Sequence, residues 1–197
     1  MSSSLTKRAS FFAFCLALLP VLGWAWGTDL VLPRPAPVVD EFQLLSSSDK
    51  SQLETLLGSI KQKSGVELSI FIPSSLQGRE IEDFSIAVAE QWKLGRKKED
   101  KGLLMVIAPK ERKMRLEVGY GLEGDLPDAY ARRILDDVLR PYFRSGEYYQ
   151  GILASLVAIH QKVPLGLDDA QVQSASPAPS KRRKKSLAEG FLFFIII

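Results

Sequence analysis

Apolar residues recur at helical spacing in two early segments of the chain. Segment 49–63 contains four of them, Leu53, Leu56, Leu57 and Ile60. Segment 81–94 contains four more, Ile81, Phe84, Val88 and Trp92. Residues three, four and seven positions apart share one face of an α-helix, so both segments are predicted to be amphipathic helices. Ser46 or Ser48 is the expected cap of the first helix, and Gly65 is its expected end.

Three other segments have the hydrophobic patterns of β-strands. Residues 103–108 are continuously apolar, which is typical of a buried central strand. In 66–72 the apolar residues Val66, Leu68, Ile70 and Ile72 share one face and Phe71 lies on the other, so this strand is also expected to be covered on both faces. In 114–118 apolar and charged residues alternate. The polar turn 109–112 makes this third segment the expected hairpin partner of 103–108.

Two more helices are predicted after the hairpin. One is capped by Asp128 and ended by Pro141, and the other runs from about Gly146 to Lys162. The order of elements is then helix, strand, helix, strand, strand, helix, helix. This order is typical of an α/β domain with a mixed sheet and helices on its faces. The domain is expected to span residues 38–163.

The segments outside this domain differ from it in composition. They are a signal peptide at 1–27, a proline-rich lead-in at 28–37, a flexible basic linker at 164–186 and a short apolar tail at 187–197. The signal peptide has Lys7 and Arg8 before the apolar run 11–22, which is too short to span a bilayer. An uncleaved N-terminal anchor is the alternative. Either one predicts an exported protein, in the periplasm or another extracytoplasmic compartment.

Charge and composition exclude several classes of protein. The 197 residues are 46% hydrophobic and 25% charged, unlike a collagen-like, largely disordered or polytopic membrane chain. The net charge of +3 comes from the two ends, because residues 28–163 hold 19 basic and 20 acidic residues. A nucleic-acid-binding core is therefore not expected. Cys15 lies in the signal peptide, and His160 is the single histidine, which disfavours thiol chemistry and a multi-histidine metal site.

The loop after the hairpin contains a formal GxGxxG match at Gly119, Gly121 and Gly124. A dinucleotide fingerprint requires the first strand of a βαβ unit before it, whereas here the second arm of a hairpin precedes it. Three carboxylates in and after the loop would also repel a pyrophosphate. We therefore expect no dinucleotide.

Those carboxylates suit a hard divalent cation. Glu123, Asp125 and Asp128, joined by Asp40 from elsewhere, offer the oxygen ligands that Ca²⁺ or Mg²⁺ prefers. The alternative is purely structural, with Asp128 as a helix cap, Asp125 as a turn former and Glu123 as a solvated acid. Arg115 lies on the polar side of its strand and is expected to pair with a carboxylate of the loop or with a phosphate.

The basic residues around the hairpin leave two interpretations open. They are Lys110, Arg112, Lys113 and Arg115. One interpretation is a contact with a phosphate or an acidic partner. The other is a solvated sheet edge that its charges protect from aggregation.

Several longer motifs resemble the TPM domain family of exported α/β modules, over about residues 38–163. They are VD at 39–40, SGVEL at 64–68, AEQWKLG at 89–95, KGLL at 101–104, RLEVGYGLEG at 115–124 and PYFRSGEY at 141–148. The resemblance implies a three-layer α/β/α sandwich with a mixed central sheet and acidic residues clustered at one end. Asp40, Glu123 and Asp128 match the family's acidic positions, with Asp125 adjacent, so a Ca²⁺ or Mg²⁺ site is expected there.

The resemblance also implies two functions. Some members of the family act as assembly or maintenance factors for membrane complexes, and a weak acid phosphatase activity has been attributed to others. We expect an exported, non-enzymatic interaction or maintenance module near a membrane that binds a divalent cation. The alternative is a metal-dependent, acid phosphatase-like phosphoester hydrolase, for which the sequence names no catalytic residue.

The expected partners are a membrane protein complex or an anionic lipid surface. The basic run Lys181–Lys185 would favour anionic headgroups. Many bacterial members continue into a transmembrane helix, whereas the apolar run 191–197 is too short to span. Either that run is part of a truncated membrane segment, or it touches a membrane surface.

Overall fold

The computed structural model describes residues 30–95 and 99–175. The α/β domain belongs to a compact unit that begins at Val31. The predicted signal peptide, the basic run Lys181–Lys185 and the apolar tail lie outside the described residues. No helix within the described ranges is long and apolar enough to cross a membrane.

One mixed sheet forms the centre of the domain. Its strands are β1 (Val38–Asp40), β2 (Glu67–Ile72), β3 (Gly102–Ala108) and β4 (Lys113–Val118), in that spatial order. The first three strands are parallel, and β4 is antiparallel to β3. The sheet confirms the predicted fold class and the predicted hairpin. The three-residue strand β1 was not predicted, because two acids interrupt its short apolar run.

Helices cover both faces of the sheet, so the α/β/α sandwich is confirmed. On one face lies α2 (Ile81–Trp92), where Phe84 and Trp92 pack on Phe71 with ring centroids 5.8 and 5.2 Å away. The other face packs against α1 (Ser47–Ser64) and α5 (Tyr148–His160) in one continuous apolar core. The alternation of side chains along β2 sends Phe71 to one layer and its neighbours to the other.

The ends of α1 follow the predicted signals. The Ser46 hydroxyl accepts a hydrogen bond from the backbone N–H of Asp49 at 3.1 Å, which identifies the cap. Gly65 ends the helix with φ of +74°, a left-handed conformation that glycine adopts readily.

The third predicted helix continues past Pro141 instead of ending there. It consists of α3 (Asp128–Arg133), a π-helical segment (Ile134–Leu139) and α4 (Arg140–Ser145). The N–H of Arg140 bonds to the carbonyl of Leu135, five residues back. This wider turn accommodates a proline, which has no N–H and would clash with the carbonyl four residues back in a regular α-helix.

Two other predictions need correction. Asp128 is the first helical residue and not the cap, since Pro127 occupies the cap position without a side-chain hydrogen bond. The predicted flexible linker is helical at its start, where α6 (Asp169–Ser174) has a capping box between Asp168 and Gln171. The rest of that linker lies outside the described residues.

Candidate functional site

Two glycines of the formal GxGxxG match, Gly119 and Gly121, serve close backbone packing. A Cβ built on Gly119 would lie 2.4 Å from the carbonyl oxygen of Asp100, and one on Gly121 would lie 1.8 Å from that of Glu99. The N–H of Gly121 also donates to the Asp100 carbonyl at 3.2 Å. Gly124, in contrast, has open space at its Cβ position. Gly119 and Gly121 thus hold the loop against residues 99–100 at the entrance to β3.

Asp40 stabilises the loop that leads into α1. Its two carboxylate oxygens accept hydrogen bonds from the backbone N–H groups of Leu44 and Leu45, at 3.1 and 2.8 Å. These bonds satisfy two donors that would otherwise lack a protein partner in a half-buried turn.

The sheet separates Asp40 from the glycine loop. Asp40 pairs with Ile72 at the carboxyl end of β2, whereas Val118 at the end of β4 pairs with Leu103 near the start of β3. Glu123 follows β4 and is exposed, so it and Asp40 extend from opposite ends of the sheet. Within residues 30–95 and 99–175, no three Asp, Glu, His or Cys side chains are grouped so that they could hold a metal ion.

Arg115 links three elements. Its Nε donates to Glu117 Oε2 at 3.1 Å, and its Nη1 lies 3.4 Å from Asp128 Oδ1. Glu117 also accepts from the Ser85 hydroxyl on α2 at 3.1 Å. Asp128 in turn pairs with Arg132 at 3.1 Å. This network connects β4 with α2 on one side and with α3 on the other.

A groove of about 360 Å³ runs beside this network, between α2, β4 and the helical segment 128–140. Its basic lining residues are Arg112, Lys113, Arg115, Arg132 and Arg140. Its acidic lining residues are Glu80, Glu82, Asp128 and Asp136. The apolar ones are Ile81, Met114, Leu116 and Leu135. Asp40, Glu123 and Asp125 are outside this lining, whereas Asp128 and Arg115 belong to it.

Ion pairs fix most of the basic side chains in the groove. Arg140 pairs with Asp136 at 2.7 Å, and Lys113 pairs with Glu80. The hydrogen bond to Glu80 raises the pKa of Lys113 above its ordinary value. Arg112 is exposed and forms no ion pair with the described part of the chain. The groove thus presents both signs of charge in fixed positions, with the exposed guanidinium of Arg112 at its mouth.

Sequence reasoning found only part of this groove. It singled out Arg112, Lys113 and Arg115 on the hairpin but not Asp136 or Arg140 on the helical segment. A signal was present, because Asp128, Arg132, Asp136 and Arg140 alternate in sign at four-residue spacing. Such spacing places neighbouring charges on one helix face.

The π-helical segment contributes Leu135 and Asp136 to the groove wall. π-helical turns are rare in proteins, and many of those that occur lie at functional sites. The arrangement can therefore hold a charged or dipolar group between preorganised arginines and carboxylates.

Comparison with known proteins agrees with this architecture. The sequence model described as the TPM domain matches residues 38–162. The solution structure of the N-terminal domain of a protein from P. gingivalis is 33% identical, with a TM-score of 0.59, covering 69% of this chain and 96% of that one. The BA42 protein from Bizionia argentinensis shares the fold at 12% identity and a TM-score of 0.51, covering 69% and 86% of the two chains. A search of curated proteins finds no match. With a family match over well over half its length, the chain belongs to the TPM domain family.

Proposed function

We propose that this protein is an exported, non-enzymatic binding module, and that the groove beside β4 is its binding site for a membrane protein partner. The observation that carries the proposal is the set of charged side chains that α2, β4 and 128–140 bring to one groove.

The ion pairs favour recognition of a partner over turnover of a substrate. An arginine that is already held by a carboxylate loses little side-chain entropy on binding. Arg115, whose side chain is 20% exposed, is held in this way, whereas Arg132 and Arg140 form more exposed pairs that restrain them less. Opposite charges in fixed positions give specificity, because a partner must present complementary charges in matching positions.

Site-specific photo-crosslinking tests this proposal in membranes of the organism that encodes the protein. A photoreactive amino acid is placed at Glu82 or Arg112 on the groove, and at Gln62 on α1 as the matched exposed control. We expect both groove positions to capture the same membrane protein and the control to capture none. Capture from Gln62 alone, or different proteins from the two groove positions, would contradict the proposal.

Export and membrane association are parts of the same proposal. They are supported by the predicted signal peptide and by the basic run Lys181–Lys185. Sedimentation of the chain with vesicles tests the second part. Binding to anionic vesicles and not to zwitterionic ones, lost when the five basic residues are changed to glutamine, is the expected result. Equal binding by the parent and the glutamine variant would contradict it.

Binding of Ca²⁺ or Mg²⁺ remains a separate proposal that rests on the family resemblance and on carboxylate chemistry. The four acids as arranged do not form one ligand set, so no step of the function is derived through an ion. Calorimetric titration of the parent and of an Asp40→Asn/Asp128→Asn variant tests it. A heat of binding in the parent and none in the variant would support a metal site. The absence of both a heat of binding and a shift in unfolding temperature, with either ion, would contradict the proposal.

The alternative function, a metal-dependent phosphoester hydrolase, is favoured by one observation, the pair of Arg115 and Arg132 on Asp128. Turnover of a phosphomonoester that requires a divalent cation and is abolished by Asp128→Asn would replace our proposal by this alternative. We expect no such turnover.

A further inference from the structure

The single histidine of the chain accepts a backbone hydrogen bond. His160 is the last residue of α5, and its Nδ1 accepts the N–H of Leu165 at 2.9 Å. A ring nitrogen accepts a hydrogen bond only while it carries no proton. The bond therefore requires a neutral imidazole with its proton on Nε2.

This bond holds a segment that packs onto the domain after α5. We call residues 163–175 the C-terminal strap. Val163 and Leu165 are 2% and 0% exposed, and Leu167 and Ala175 pack against the same core. Lys63 of α1 adds a second polar tie by donating to the carbonyl of Gly166 at 3.2 Å. The N–H of Val163 also donates to the carbonyl of Ile159 at 2.8 Å. Of these three hydrogen bonds, the one from Leu165 depends on an imidazole.

We propose that His160 is a pH-sensitive latch for the C-terminal strap. Protonation of Nδ1 converts the acceptor into a donor, so that two N–H groups face each other. The hydrogen bond is lost, and the N–H of buried Leu165 is left without its acceptor, which is costly in a dry interior. The strap is held firmly at neutral pH and loosens as the pH falls.

Other charged groups lie near the strap. They are Lys63 on α1, Lys162 beside the ring of Tyr130 on α3, and Asp168 and Asp169 at the start of α6. None of them takes part in the hydrogen bond between Leu165 and the imidazole, so protonation of Nδ1 acts on that bond directly.

Amide hydrogen exchange by NMR on the full chain tests the latch. The protection of the Leu165 amide, corrected for the intrinsic exchange rate, is measured between about pH 8 and about pH 5. The ring signals of the single histidine report its protonation in the same samples. We expect protection to fall about tenfold as the imidazole becomes charged, while the Leu126 amide, bonded to Leu122, is unchanged.

Two variants make the result specific. His160→Asn keeps an acceptor at the same position that does not titrate, so Leu165 should stay protected at every pH. His160→Phe has no acceptor, so Leu165 should be poorly protected throughout. The proposal is overturned if the parent shows no pH response while its imidazole titrates, if the imidazole does not titrate in this range, or if His160→Asn responds like the parent.

Discussion

Gly121 lies against the backbone carbonyl of Glu99, so closely that a Cβ at this position would be 1.8 Å from the oxygen. The contact packs the loop after β4 against the start of β3. It explains why residue 121 is a glycine without any role in phosphate binding, which the GxGxxG spacing alone would suggest. Gly119 and Gly121 are needed, in this fold, where two backbone segments lie close together, whereas Gly124 is not.

Replacing Gly121 with alanine tests this interpretation. We expect Gly121→Ala to lower the free energy of unfolding by about 1–3 kcal/mol, because the new methyl group must displace backbone. Gly124→Ala is the matched control, since nothing lies within 4 Å of its Cβ position. The control should change stability by less than about 0.5 kcal/mol. The free energies of unfolding of both variants are measured by denaturant titration. Equal losses in the two variants would contradict the packing role of Gly121.

Asp40 provides a second test, because its carboxylate accepts two backbone N–H groups. We expect Asp40→Ala to cost about 1–2 kcal/mol of stability, as both donors lose their acceptor. Asp40→Asn keeps one acceptor oxygen and should cost less. Thermal unfolding with and without Ca²⁺ or Mg²⁺ separates this role from metal binding. A loss that appears only when the ion is present would show that Asp40 acts as a ligand instead.

The two arginines on Asp128 should differ in their contribution to stability. The Arg115 side chain is 20% exposed and bonds to Glu117 and Asp128, whereas that of Arg132 is 65% exposed. We expect Arg115→Met to cost about 1–2 kcal/mol, since it leaves a half-buried Glu117 without its cation. Arg132→Met should cost less than about 0.5 kcal/mol, as exposed pairs do. Equal losses in chemical denaturation would contradict the network described for Arg115.

Burial of Tyr142 predicts a loss of stability in alkali. Burial, with a smaller contribution from the charge of Glu147, raises the pKa of the Tyr142 hydroxyl above its ordinary value. The neutral Tyr142 hydroxyl therefore contributes fully to the free energy of unfolding below about pH 10, the ordinary pKa of tyrosine. This contribution is lost as the pH rises beyond that value. Tyr142→Phe should reduce this alkaline loss, and Tyr120→Phe, at an 80% exposed site, should not. An identical pH profile of unfolding for Tyr142→Phe and the parent would show that another group dominates.

Much of the fold could be predicted because single elements carry their own signal. Leu53, Leu56, Leu57 and Ile60 mark the buried face of α1, and all four are buried. The continuous apolar run of β3 is buried along its whole length. Such patterns depend only on which side of an element faces the core.

The features that could not be predicted depend on partners distant in sequence or on unusual backbone. Pro141 is normally a stop signal, and the π-helical turn before it, in which Arg140 bonds to Leu135, is unusual backbone that no sequence pattern announces. The groove unites α2, β4 and 128–140, and nothing in the local sequence states that these three elements meet.

The central claim, that the groove beside β4 binds the partner, is tested most directly by reversing charges within it. Crosslinking from Arg112 would be quantified in an Arg132→Glu/Arg140→Glu variant and in a control, Arg133→Glu/Arg144→Glu. Both variants change net charge equally, but Arg133 and Arg144 do not line this groove. The account predicts that the partner adduct falls severalfold in the first variant and persists in the second. Equal adduct in both, with both proteins folded, would contradict it.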